Sequence, residues 1–310
     1  MPLSLSVSNA FSELLSRIEL NPTRVQLASQ RYNAVKTLIE KALPGKDVTQ
    51  IGSFQRKTKI RPVDLSDHLD IDVLVSFGPA SKIARFPERG ITPIEALKTV
   101  RDALSSDKTY RIMKPKTDAP TVVLEYADDF SMELVPAFAD KTGLHSHEFC
   151  NCYLVGNASG NWVPADYDYD AAMISALNAI CHGALVPSIK MIKAFIRGYN
   201  VKLSSFHIEI LSSLIVPQAI AKWEVERLSW GYQHILAYFL SNVGYFMLGP
   251  ASIPGSYSPP VDSRLSFTEL QALGGIWMKF GSLAMSICKL GDTPQALDVW
   301  RQFFGNPFPS

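Results

Sequence analysis

Apolar residues change their spacing twice along this chain. Ser8 to Ile18 and Arg24 to Leu43 repeat them at helical intervals, the second through Val25, Leu27, Tyr32, Val35, Leu38 and Ile39, which predicts two N-terminal helices. From Val48 the period shortens to that of a strand. Val48 to Ile51 is one; in Asp70-Ile-Asp-Val-Leu-Val-Ser-Phe, Ile71, Val73, Val75 and Phe77 alternate with Asp70, Asp72, Leu74 and Ser76. Thr121 to Tyr126 and Phe130 to Val135 predict strands joined by a turn at Ala127-Asp128-Asp129, the second ended by Pro136. Asp128 and Asp129 are short acids suited to such a turn. A hairpin follows, Cys152 to Val155 returning at Asn161 to Pro164, with Asn157-Ala-Ser159 as its bend, and only Pro93 to Leu104 interrupts the strands as a helix.

Beyond Asp170 helices take over. Pro187 to Tyr199 shows helical periodicity through Ile189, Ile192, Phe195 and Ile196, with a proline in its first turn and a Gly198 exit. Ser205 precedes an apolar helical run and can cap it, and helix starts also favour anions. Ile235 to Leu248 is the most apolar run, but it is short and carries Ser241, Asn242 and Gly244, which reads as a buried helix and not a membrane span. The Pro-, Ser- and Gly-rich stretch Gly249 to Ser263 reads as a surface loop or cover. The expected architecture is α+β and two-lobed: a strand-rich lobe over residues 1–165, a helical lobe over 166–310, and a ligand cleft between them.

The chemistry concentrates at the strand-rich end. Asp70 and Asp72 share one face of their strand, roughly 6.5 to 7 Å apart along the backbone, while the aliphatic residues face a core. Glu133, between Met132 and Leu134, faces away from its apolar neighbours and offers a third carboxylate. Paired acids on a strand are commonly just a solvated edge. Here they follow Gly52-Ser53, a turn in which a residue without a side chain lets backbone amides approach a polyphosphate and a hydroxyl adds a donor. Nucleotidyl transfer needs such a set, because charge builds on the entering and leaving oxygens and carboxylates must hold divalent cations there. Oxygen ligands of this kind suit two magnesium or manganese ions, with Asp70, Asp72 and Glu133 as ligands and Glu133 also placed to draw the proton from an attacking hydroxyl. The turn is no P-loop, since Gly-x-x-x-x-Gly-Lys-Ser/Thr is missing from it. Arg56, Lys57, Lys59 and Arg61 could neutralise a triphosphate or simply be solvated.

Gly52-Ser-Phe-Gln-Arg-Lys-Thr58, Asp70-Ile-Asp-Val73 and Glu133-Leu-Val-Pro-Ala-Phe138 together resemble the catalytic core of the polymerase-β-like superfamily, and within it the cGAS/DncV-like nucleotidyltransferases. Pro187-Ser-Ile-Lys-Met-Ile-Lys193-Ala-Phe, then Leu203-Ser-Ser205-Phe, are similar to that family's helix ending Leu-Lys-Ala-Trp and the Ser-Phe helix start after it; Trp300 to Pro309 resembles its closing Trp, Phe-Gly and Phe-Pro signature. The resemblance implies a mixed-sheet catalytic lobe with an N-terminal spine helix, packed against the helical lobe. It implies that Gly52, Ser53, Lys193 and Ser205 grip nucleotide phosphates. It further implies a synthase that joins ribonucleoside triphosphates into a cyclic di- or oligonucleotide, releases pyrophosphate and serves antiphage signalling through a separate effector protein. Related superfamily members extend RNA ends or modify macromolecules, and a silent nucleotide-binding sensor is a further alternative. Two departures stand out: Lys57 occupies a position where a small residue is usual, and the third acid is Glu where Asp is commoner.

Composition narrows the partners. Among 310 residues, 47% are hydrophobic, enough for a large core, and a net charge of +1 supplies no field for a long nucleic acid, so small charged substrates are expected. Cys150, Cys152, Cys181 and Cys288 show no disulfide framework, and the N-terminus lacks a secretory pattern, so a cytoplasmic protein without a membrane partner is expected. His145, His147, Cys150 and Cys152 are four potential zinc ligands. Yet Cys150-Asn-Cys152-Tyr-Leu-Val alternates like a strand, and the spacing lacks the separated pairs of a zinc knuckle; zinc stays open.

Overall fold

The computed structural model describes residues 6–62, 69–80, 90–140, 147–148, 150–199, 203–261 and 265–309. Helices α1 (Val7–Ile18) and α2 (Pro22–Ala42) lead into β1 (Asp47–Gln50), a short helical turn α3 (Gly52–Gln55) and β2 (Leu69–Pro79). Then come α4 (Pro93–Ser106), α5 (Lys108–Met113), β3 (Lys116–Asp118), β4 (Thr121–Glu125), β5 (Phe130–Asp140), β6 (Cys152–Gly156) and β7 (Trp162–Ala165). The rest is helical: α6 (Tyr167–Ile180), α7 (Leu185–Gly198), α8 (Ser205–Val225), α9 (Tyr232–Phe246), α10 (Phe267–Cys288) and α11 (Pro294–Phe304).

The strands form one mixed sheet in the order β1-β2-β5-β4-β3, with β6 joining β5 and β7 joining β6. β2 and β5 run parallel, and every other pairing is antiparallel. Contrary to expectation, Pro136 does not end its strand. β4 pairs with β5 as far as Leu134 and β6 begins at Ala137, so Pro136 falls in the gap where neither edge partner calls for its missing amide hydrogen.

Alternation along β2 separates a dry face from a working face. Leu69, Ile71, Val73, Val75 and Phe77 are all buried beneath α2 and α4, packed with Val35, Ile39, Leu97, Val100 and Leu104. Arg24 and Arg31 of α2 hold Asp129 and Asp128 of the β4–β5 turn at 2.7 and 2.8 Å, so those acids also anchor α2 to the sheet. Asp129 itself is left-handed, at φ 58°. A second core joins α1 to the helical elements, with Phe11 edge-on to Trp300 at 5.1 Å and to Phe308 at 5.4 Å. Within it α9 and α10 approach so closely that a Cβ on Gly281 would lie 2.3 Å from the Ser241 amide nitrogen. No single helix among the described residues is long and apolar enough to cross a membrane.

Candidate active site

Parallel pairing sets Asp70 opposite Ser131 and Asp72 opposite Glu133. Residues in register on adjacent strands project to the same face, and Asp70, Asp72 and Glu133 all open onto a cleft of about 370 Å³. Ser131 Oγ donates to Asp70 at 2.5 Å, and Lys59 Nζ lies 3.7 Å from the other Asp70 oxygen. The cleft's opposite wall comes from the helices, through Lys193, Arg197, Ser205, Phe206 and Glu209.

Gly52 stands at φ +71°, and a Cβ built there would lie 1.9 Å from Asp72 Oδ2. The Asp72 carboxylate therefore occupies the space that any other side chain would need. The Ser53 amide favours the charged form of the same carboxylate, so the turn acts on the acid as well as facing the cleft. Burial raises the Asp72 carboxyl above the usual range and the Asp70 charge raises it further, while Lys59, Arg56 and the Ser53 amide pull it back. Burial, then the charges of Asp72, Asp70 and Asp118, push Glu133 up to about 7. Lys59 and Arg56 offset the three carboxylates only in part, since Asp72 and Glu133 both stay raised, and a hard divalent cation fits that all-oxygen donor set. As they stand, no three His, Cys, Asp or Glu side chains among the described residues are grouped so as to hold a metal ion, Asp70, Asp72 and Glu133 included.

Lys193 lines the same cleft but is only 1% exposed. Its ammonium donates to Glu209 Oε1 at 2.5 Å and to the Thr58 carbonyl and hydroxyl oxygens at 3.1 and 3.3 Å. Those three bonds use all three of its hydrogens. Burial lowers its pKa to about 8, with Glu209 acting against the fall. Lys190, one turn earlier, turns away to Glu19, the residue that follows α1, at 2.5 Å. The cap of α8 is Ser204 and not Ser205: Ser204 is extended and accepts from the His207 amide at 3.1 Å. The chain enters the helix one residue earlier than expected, which leaves the Ser205 hydroxyl in the cleft, where Arg197 donates to it at 3.4 Å.

Of the basic run, Arg56 donates to Glu209 Oε2 at 2.5 Å and lies 4.5 Å over the Phe206 ring, and Lys59 serves Asp70. Lys57 adopts φ 60° where a glycine would be at ease. Sequence reasoning passed over Glu209, Thr58 and Tyr167, which also line or support the cleft. A lone acid between Ile208 and Ile210 was the available signal for Glu209. Of the potential zinc ligands, His145 lies outside the described residues. His147 Nε2 is 2.8 Å from Asp166 Oδ2 and the ring stacks on Tyr169, while Cys152 is buried in β6.

Known structures share this architecture. Escherichia coli MS115-1 CdnC, solved with ATP, superposes with a TM-score of 0.69 at 15% identity, covering 98% of this chain and 99% of that one. The Vibrio cholerae DncV cyclic AMP-GMP synthase gives 0.64 at 12% identity, covering 98% and 87%. The fold is thus the mixed α+β fold of the polymerase-β-like nucleotidyltransferases, as the motifs implied. The chain belongs to the Second Messenger Oligonucleotide or Dinucleotide Synthetase family, whose domain model matches residues 5–165. A probable cyclic nucleotide synthase of Bacillus cereus (strain VD146) is 23% identical over 293 residues, spanning 87% of this chain and 84% of that protein. The protein is an enzyme of this nucleotidyltransferase class.

Proposed function

We propose that the protein joins ribonucleoside triphosphates into a cyclic di- or oligonucleotide, with release of pyrophosphate, in a cleft where Asp70, Asp72 and Glu133 hold a pair of magnesium or manganese ions. The observation that carries this reading is the register of Asp72 against Glu133, beside Asp70, on the face that the Gly52-Ser53 turn closes. Bound there, the ions supply the positive charge that the entering and leaving oxygens require. Glu133, in register with Asp72 on the cleft face, is also placed to take the proton from the attacking hydroxyl. Gly52 keeps Asp72 in place, and Ser53 and Ser205 present hydroxyls to the phosphates. Lys193 contributes charge from within its network with Arg56. A product of this kind would act through a separate effector in antiphage defence, in the cytoplasm and without a membrane or long nucleic acid partner.

The test incubates the full chain with each labelled ribonucleoside triphosphate, singly and mixed, with magnesium or manganese, and identifies phosphatase-resistant products by mass. A cyclic product is expected, and Asp70→Asn with Asp72→Asn is expected to abolish it while leaving the circular dichroism spectrum and melting temperature near wild type. Undiminished product from that double variant would refute the site.

A further inference from the structure

Glu209 is a single carboxylate in an apolar stretch of α8, between Ile208 and Ile210, and it has no exposed surface. Burying a carboxylate is unfavourable unless it is paired and fully bonded. Both its oxygens reach across the boundary between the lobes. Oε2 accepts from Arg56 Nε at 2.5 Å; Oε1 accepts from Thr58 Oγ1 at 2.8 Å and from Lys193 Nζ at 2.5 Å. Arg56 and Thr58 leave the catalytic turn, whereas Lys193 and Glu209 come from α7 and α8. One carboxylate thus binds two cations, and all three line the cleft that holds the acid triad. A pair kept only for stability would be neutral, but here a surplus positive charge is left at the wall. Across the same cleft Arg56 already acts on Asp72, so this surplus becomes available to an anion when bound cations neutralise the acids.

We propose that Glu209 is a positioning residue for the nucleotide triphosphate: it ties Arg56 to Lys193 across the lobe boundary, so that their surplus charge meets the polyphosphate as one preformed unit. This rests on the reading of the cleft as the triphosphate site. Preorganisation of this kind avoids the cost of ordering two long cationic side chains when the substrate arrives. It also makes the catalytic turn and the helical wall move together, since Arg56 is fixed from beneath by Glu209 and flanked by the Phe206 ring. The charged groups that act on Lys193 are Glu209 of α8, Arg56 of the turn and Arg197 of α7. Of these only Glu209 supports its protonated form.

The test measures steady-state kinetics of the full chain with ATP, GTP, CTP and UTP plus magnesium across a pH series. Glu209→Gln is expected to raise nucleotide KM by roughly ten- to a hundredfold, the loss typical of a charge-assisted contact, with a smaller fall in kcat. The alkaline limb of kcat/KM should move to lower pH, because Lys193 then holds its proton less firmly. Glu209→Asp keeps the counter-charge and guards against a variant that fails to fold; it should raise KM less, with the alkaline limb unmoved. Combining Glu209→Gln with Lys193→Met should cost less than the product of the two single effects. Wild-type KM and an unmoved alkaline limb in the Gln and Asp variants, with only the melting temperature lowered, would overturn the proposal, as would full multiplication of the two effects. Wild-type KM in Lys193→Met alone would instead remove the triphosphate reading beneath it.

Discussion

Gly52→Ala separates backbone strain from displacement of the Asp72 carboxylate. A side chain at φ +71° costs roughly 1–2 kcal/mol in the left-handed region. The new methyl would also start 1.9 Å from Asp72 Oδ2, whereas real contacts stay beyond about 3.0 Å, so the carboxylate must retreat by about 1.1 Å. The movement would also take it from the Ser53 amide, which favours its charged form. A displacement of about 1 Å in a reacting group costs on the order of a hundredfold in rate. Turnover at saturating nucleotide should therefore fall about a hundredfold, while the melting temperature drops only a few degrees. Gly160→Ala is the matched control, at φ +78° with nothing within 4 Å of its added Cβ. It bears the same strain without the clash and should keep its turnover. The assay is pyrophosphate release alongside differential scanning fluorimetry. If Gly52→Ala retains turnover within threefold of wild type, the turn does not hold Asp72 in a working position, and the reasoning fails.

Two further variants probe stability. Gly281→Ala forces a methyl against the α9 backbone 2.3 Å away, so it should lower the melting temperature by several degrees without changing KM; an unchanged melt would mean that α9 and α10 are not locked at that crossing. Asp170 is 2% exposed and raised by burial from 3.8 to about 6, so the folded state loses stability as pH climbs from 3.8 through 6, and all of the penalty is present at higher pH. Asp170→Asn should accordingly stabilise the protein at pH 7.5, by at most about 3 kcal/mol, and change little near pH 4. Equal shifts in chemical denaturation at both pH values would refute the assignment.

The sequence carried the acid triad because strand period alone puts Asp70 and Asp72 on one face, and because a lone Glu133 among apolar residues must face the same way as whatever can receive its charge. Pro136 misled because its effect depends on whether a neighbouring strand needs its amide, which is a fact about β4 and β6 and not about its own segment. Adjacent serines 204 and 205 can each cap a helix, and only the backbone angles decide between them. The short, exposed α5 and β3 show no apolar rhythm that would announce them. The Lys193 network was out of reach for a different reason. Its partner Thr58 is 135 residues away in the chain, and no local pattern announces a bond of that span.

Phe11 among Trp300, Phe304 and Phe308 means that the opening helix and the closing segment finish one another. A fragment stopped near residue 165, where the family model ends, would leave the apolar stripe of Val7, Phe11, Leu14 and Ile18 open to water. A nascent chain faces the same predicament: until α7, α9 and α11 emerge from the ribosome to cover it, that stripe is a target for chaperones or for other unfinished chains.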